Sequence, residues 1–464
     1  MITGRTTPTA LTPTLARTLA AALALTAGSA ALAQPVEVIL ASSGHTAGPK
    51  SDLPGNPGIK INNFGKINRS PTTGHWAVVA TTTATPATAD QFFIIGQGLT
   101  AQTEAQEGVT EFAPGLTLNF STNIPVPRIN DATNWAAATV ATGQTDDFVV
   151  RHISSEFEIV ARTGQPSPLD PGAQWGANMS AAGISDDGTA TFQSGLFGGP
   201  GYDQVAVTNN GATLAIGTAL FAPTGQAGGA TDPWFSFVRD SFSTDAAAAN
   251  WIIKGKVFTF DTTRDDVVAV NNAVVIQEGV ELPGSGLGPV TSIGDVRMES
   301  NGDWYADGQS GGIDWIVKNG AIIAREGDEI APGAGDQWTS FIDFNGDHAG
   351  NFIVMGNTNN AQGTLNSAPV YNGTTVIARE SDPVDLDNDG QTDDGLYIGR
   401  FRDRCTLPGD GYFYFAAGLK ADPNSTSTLG ANASLLRVAV GGGDGCPACE
   451  ADYDQSGGVD GDDI

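Results

Sequence analysis

The feature that most constrains this chain is a short phrase that recurs seven times at even spacing. Ile323-Ala324-Arg325-Glu326-Gly327 is followed by Ala331-Pro332-Gly333, and Val275-Ile276-Gln277-Glu278-Gly279 by Leu282-Pro283-Gly284. Val160-Ala161-Arg162-Thr163-Gly164 with Pro166, Ile377-Ala378-Arg379-Glu380-Ser381 with Pro383, and Gln106-Glu107-Gly108 with Pro114-Gly115 repeat it. Weaker copies end at Gly44 and Thr218. The anchors stand at 44, 108, 164, 218, 279, 327 and 381, so each unit is a supersecondary element of ~50–60 residues.

Two further marks recur in phase. A turn residue precedes an aromatic strand at Trp76, Trp135, Trp251, Trp304, Phe352 and Phe413, with Phe192 two residues late in the third unit. One aromatic per unit at a fixed phase reads as packing between neighbouring sheets, with a ligand platform as the other reading. Asn-Gly or Asn-Asn pairs sit between short apolar strands at Asn210-Gly211, Asn271-Asn272, Asn319-Gly320 and Asn372-Gly373. Such pairs suit type I′ hairpins, which need positive φ at both central residues. With 60 Gly in 464 residues and no helical period, the chain is expected to be all-β, with about four short strands per unit.

Units of this length in this number predict a seven-bladed β-propeller over residues 36–440. Val36–Leu40 has no upstream partner strand and Ser434–Val440 has no downstream one, so the two are expected to pair antiparallel and close the ring. The phrase I-A-R-E-G-D-x-x-x-P-G, followed by an aromatic strand, resembles a repeat of secreted bacterial proteins of unknown function. That resemblance supports the propeller and implies no catalytic residues.

The termini carry different signals. Residues 1–33 hold Arg5 and Arg17, no acid, and an apolar stretch ending in Ala31-Leu32-Ala33. This pattern predicts a cleaved export signal, because an apolar run of about 16 residues is short of the ~20 needed to span a bilayer. The mature protein is expected to be extracellular, on the cell surface or periplasmic. The formal net charge of −29, from 22 Lys+Arg against 51 Asp+Glu, argues against nucleic acid and anionic membrane partners. The three cysteines are Cys405, Cys446 and Cys449. The last two lie in a Gly/Cys linker, 441–449, where a structural or interchain disulfide is a better reading than a redox pair, and Cys405 leaves the count odd.

After the linker, Asp452, Asp454, Ser456, Asp460 and Asp463 fall at positions 1, 3, 5, 9 and 12 of a loop. Gly457 stands at the sharp turn and Gly458 offers a carbonyl at position 7. This spacing wraps hard oxygen ligands around one Ca²⁺. Residues 450–464 resemble the first calcium loop of a type I dockerin, a partial EF-hand-like module, with the chain ending at Ile464 where a first helix would begin. The resemblance implies a cohesin-like or cell-surface partner for a complete module. A second candidate loop in the seventh unit holds Asp385, Asp387, Asp389 and Asp393 at positions 1, 3, 5 and 9, with Leu396 at position 12, so that Asp394 or a distant acid would have to complete the set.

No catalytic set is marked. His45, His75, His152 and His348 lie in separate units, and neither a G-x-S-x-G elbow nor H-E-x-x-H occurs. The expected function is a non-catalytic binding or scaffold propeller with a calcium-binding tail, and the alternative is a secreted propeller enzyme acting on polysaccharide, a glycoside hydrolase or lyase; carbohydrate is one candidate partner. The axis discriminates: convergent acids beside an arginine favour catalysis, whereas a lining of Ala, Gly and Thr favours a scaffold.

Overall fold

A computed structural model describes residues 35–120, 127–168, 172–198, 202–208, 213–218 and 222–440. The export signal, the Asn210-Gly211 turn, the linker with Cys446 and Cys449, and the dockerin-like loop lie outside the described residues.

Seven sheets of four or five strands make up the body, and the protein is a seven-bladed β-propeller. Blade 5 shows the plan. Val290–Met298 lies innermost, followed outward by Trp304–Ser310, Ile313–Lys318 and Ala321–Arg325, each antiparallel to the last. The inner strands of the other blades are Asn56–Arg69 in blade 1, Arg128–Ile129 in blade 2 and Ser180–Ile184 in blade 3. Blade 4 has Trp234–Phe237 with Ser243–Thr244, blade 6 has Trp338–Gly346 and blade 7 has Tyr397–Thr406.

The seven-fold phrase is the connector between blades. It begins as an outer strand and runs on to the inner strand of the next sheet. There its last residue donates a backbone hydrogen bond: Gly164 to Trp175, Gly279 to Val290, Gly327 to Trp338 and Ser381 to Ile398, at 2.8–2.9 Å. That residue must adopt a left-handed φ, 85° at Gly327, which glycine does without strain.

The three described Asn-Asn and Asn-Gly hairpins have the positive φ pair of type I′. Asn271 and Asn272 have φ of 49° and 65°, Asn319 and Gly320 of 51° and 83°, and Asn372 and Gly373 of 50° and 65°. Each leading asparagine also accepts, through Oδ1, the N–H that opens the aromatic strand beside it, at Trp251, Trp304 and Phe352 (2.9–3.0 Å). This bond locks the hairpin to the strand before it and explains why the turn and aromatic marks recur in phase.

The ring closes as the two unpaired strands require. Glu37 stands opposite Arg437, Val38 opposite Leu436 and Leu40 opposite Leu435. The Glu37 carboxylate accepts from Arg437 Nε at 2.8 Å. Val384–Asp385 adds a fifth, parallel strand outside Val36–Leu40, which the repeat did not suggest.

Cores lie between neighbouring sheets. Trp76, Trp135, Phe192, Trp251 and Phe413 are buried as expected, but Trp304 and Phe352 are only half-buried. In blade 5 the next residue, Tyr305, is the wholly buried one, and Trp315 on the following strand fills the core. Trp304 is thereby left at the edge, against the Asn319-Gly320 turn. Phe352 borders Lys318, whose ammonium lies 5.9 Å from its ring. Among the described residues no helix is long and apolar enough to cross a membrane.

Candidate functional site

The inner strands do not run straight. The register shifts between Phe64 and Ile67 in blade 1, Ile293 and Val296 in blade 5, Phe341 and Asp343 in blade 6, and Phe401 and Cys405 in blade 7. Blade 4 loops out between its two inner segments, over 238–242. A bulge adds a residue, breaks the in-out alternation and re-aims a side chain. Here the extra residues include Lys66, Arg239, Asp240, Asp295 and Asp403, all of which line the central channel, a cavity of about 1060 Å³.

Arg69 ties off one end of the channel. From blade 1 it reaches the Glu299 carboxylate of blade 5 at 2.5 Å and the Gly346 carbonyl of blade 6 at 2.7 Å. Both charged side chains are buried, 8% and 7% exposed, and Glu299 also accepts the Gly346 N–H at 3.0 Å. Such a pair is costly to break singly, because the survivor would be a buried uncompensated charge. Lys66 lies three residues earlier on the same strand, roughly 10 Å away at strand rise.

Further along the wall, Arg297 pairs with Asp343 at 2.9 Å and stacks over Phe344 at 4.6 Å. Burial opposes its charge, but the Asp343 carboxylate raises its pKa above the ordinary arginine value. The Cys405 thiol, a buried free cysteine, is pushed well up by burial and by the same carboxylate. Arg128 donates from Nη1 to Asn68 Oδ1 at 2.7 Å, while its buried Nε has no hydrogen-bond partner. Burial, then the neighbouring Arg297, pull its pKa down. Burial pushes the Asp240 carboxyl up against the pull of Arg239 and Arg128. Behind Gly294 and Asp295, Asp307 is raised to about 6 by burial first and the Asp295 charge second. The channel therefore carries acids beside arginines, the arrangement named above as favouring catalysis, and not the lining of small residues named as favouring a scaffold.

The seventh-unit acidic loop is also described. Oxygens of Asp385, Asp387 and Asp394 lie within 4.8 Å of one another, Asp385 fully buried and the other two exposed. Asp389 and Asp393 are exposed and outside this group. Asp385 accepts the N–H groups of Asn388 (2.6 Å) and Gly390 (2.8 Å), and Asp394 accepts that of Leu386 (2.7 Å). The Asp387 carboxyl is raised by local desolvation and then by Asp389, Asp394 and Asp385. A three-acid group at Asp265, Asp266 and Glu278 is already bridged by Lys256, at 3.0 and 2.9 Å from the two aspartates.

No protein-family model matches the chain, and no curated protein matches it. Among solved structures, the chain is similar to the Dos1 propeller at 10% identity and a TM-score of 0.37, over 88% of this chain and 95% of that one. It is similar to polysaccharide lyase Uly1 at 11% identity and a TM-score of 0.39, over 88% and 98%. It is also similar to a Penicillium chrysogenum α-L-arabinanase complexed with arabinobiose, at 11% and 0.34, over 88% and 97%.

Sequence reasoning missed the channel residues altogether. A signal was present: an apolar or aromatic residue, one residue of any kind, then a charge, as in Phe64-Gly65-Lys66, Phe237-Val238-Arg239, Ile293-Gly294-Asp295, Phe341-Ile342-Asp343 and Phe401-Arg402-Asp403. Each copy follows the anchor of the repeated phrase by 16 to 22 residues, in a chain only 16% charged.

Proposed function

We propose that this chain is a binding propeller whose ligand enters the central channel, and that its dockerin-like tail attaches it, with calcium, to a cohesin-like or cell-surface partner. The observation that carries the first half is the charged channel built on bulged inner strands, since bulges concentrate where a side chain must be re-aimed for function. Carbohydrate is the ligand class this reading favours. A roomy cavity that presents both hydrogen-bond donors and acceptors suits a polyhydroxylated chain.

The tail reading rests on the ligand spacing from Asp452 to Asp463, with Ser456 and the Gly458 carbonyl between them. Asp385, Asp387 and Asp394 are proposed as a second calcium position. Both are tested by calorimetric calcium titration of the full chain against Asp452→Ala/Asp463→Ala and Asp387→Ala variants. Loss of one binding step in each variant is expected, and equal heats in all three proteins would remove both sites.

A second reading has its own support. Asp240 and Asp295 stand on the channel wall with Arg128 and Arg297, as a propeller enzyme acting on polysaccharide by acid-base chemistry would need. Incubating the chain with neutral and acidic polysaccharides separates the two readings. New reducing ends that disappear in Asp295→Asn would establish catalysis, whereas binding without product, abolished by the channel-filling Val238→Trp, would establish the binding propeller.

A further inference from the structure

The charge of the channel is the inverse of the charge of the molecule. Lys and Arg number 22 and Asp and Glu 51 in the whole chain. Among the described residues, seven of the cations line the channel but only six of the acids. A sample of the chain at large would hold more than two acids for each cation.

Three of the six acids are already neutralised or capped. Glu299 is paired with Arg69 and Asp343 with Arg297. Asp245 accepts the N–H groups of Ala249 and Asn250, at 2.8 and 3.1 Å. That leaves Asp240, Asp295 and Asp403 facing five cations: Lys66, Arg128, Arg239, Lys254 and Arg404. Two of the three acids are only loosely held, with 3.9 Å separating Arg239 from Asp240 and Arg404 from Asp403. Among the described residues no carboxylate lies within 4.0 Å of Lys66, Arg128 or Lys254, although Lys254 donates to the Ile293 and Gly294 carbonyls. Because backbone caps leave the charge of Asp245 in place, the channel wall has one positive charge more than its own acids can neutralise. Among these cations, Arg128 has no carboxylate partner and carries a buried Nε donor with nothing to bond. A guanidinium in that state is stabilised by an oxyanion more than by any neutral group, because a charge-assisted bond restores both the missing partner and the missing counter-charge.

Resting on the reading of the channel as the ligand site, we propose that its ligand is an oligo-anion, a chain bearing at least two carboxylate or sulfate groups, seated on Arg128, Lys66 and Arg239. One small oxyanion is too little for a cavity of about 1060 Å³, which is at the upper end of ligand pockets. Charges repeated along a chain let one group meet Arg128 in the wall while another meets the exposed pair Lys66 and Arg239. Uronate and sulfated oligosaccharides share this chemistry.

The test is calorimetric titration of the full chain with four probes: trigalacturonate, a sulfated trisaccharide, inorganic phosphate and the neutral maltotriose. Lys66→Gln/Arg239→Gln removes two exposed charges with little risk to folding, Arg128→Gln removes the half-buried one, and Arg325→Gln, on an outer strand, serves as control. At least one of the two oligo-anions is expected to bind wild type and Arg325→Gln equally, at least tenfold more weakly to the double variant and to Arg128→Gln, and more weakly as salt is raised. Which oligo-anion binds identifies the charged group. Equal affinity in wild type and the double variant would overturn the proposal, as would phosphate binding as tightly as either oligo-anion. Maltotriose binding in the channel with neither oligo-anion bound would overturn the anionic ligand and leave the channel reading standing. Absence of binding by every probe would overturn both.

Discussion

At the scale of single residues, the clearest strain is Asp307. Its carboxyl sits behind the channel wall, raised to about 6, with one buried oxygen lacking a partner. It also explains Gly294, where a Cβ would come within 2.4 Å of that oxygen. In the unfolded chain an aspartate releases its proton near pH 3.9, whereas in the fold Asp307 keeps it to about 6. Between these values the folded state binds the extra proton, so this residue's contribution to stability is full below pH 4 and falls as pH rises through 6. Asp307→Asn keeps the shape and cannot ionise. Its melting temperature is expected to exceed that of wild type at pH 7.5, with the gap closing towards pH 4. A pH-independent gap would mean that the carboxyl is not held protonated.

At the scale of elements, the repeat is written twice, and only one copy was legible. The outer phrase, the Asn-Gly hairpins and the phase of the aromatics show in the sequence because each depends on a local backbone demand, positive φ or a fixed turn length, that few residues meet. The inner strands are less legible, because a bulge is set by the strand opposite as much as by its own residues. Ser236, Ser292 and Ser340 stand just past register shifts, and their carbonyls press on Gly255, Gly308 and Gly356 of the second strand, where a Cβ would lie 2.4–2.5 Å away. The same glycines sit against Trp234, Trp315 and Trp338. Glycine in mid-strand marks just such a close approach, a signal that takes meaning only once the partner strand is known. Channel residues such as Lys66 and Asp295 are hidden for the same reason, since alternation alone assigns them to the wrong face. Gly308→Ala should force the Ser292 carbonyl and the Trp315 ring apart at a cost of about 1–3 kcal/mol, as overpacking does. Chemical denaturation reads this as a lowered midpoint, and an unchanged midpoint would show that the bulge yields freely.

At the scale of the whole molecule, stability depends on closing a ring whose ends come from opposite termini. Strand pairing does part of this, and a neutral histidine holds the join. The Leu419 N–H donates to His45 Nε2 at 3.3 Å, so the ring proton sits on Nδ1, which bonds Ser434 Oγ at 2.7 Å. Ser434 Oγ in turn accepts the Ser42 N–H at 3.1 Å. One imidazole thus links the segment after the N-terminal strand to two adjoining strands of blade 7, Tyr412–Lys420 and Ser434–Ala439. It works only while Nε2 is an acceptor, and burial, then Arg402, hold its pKa at about 4, below the ordinary 6.5. As pH falls through 6.5 the unfolded chain takes up a proton that the folded ring refuses until about 4. Closure therefore weakens with acid over that window, by up to about 3 kcal/mol for a shift of this size. The trend is opposite in sign to that of Asp307, so it has to be read as a difference. The melting-temperature advantage of wild type over His45→Gln should grow smaller from pH 7.5 to 4.5, with hydrogen-exchange protection factors at Val38 and Leu419, corrected for the intrinsic rate at each pH, falling in wild type over the same range. An advantage that stays constant with pH would show that the join is held by the strands alone.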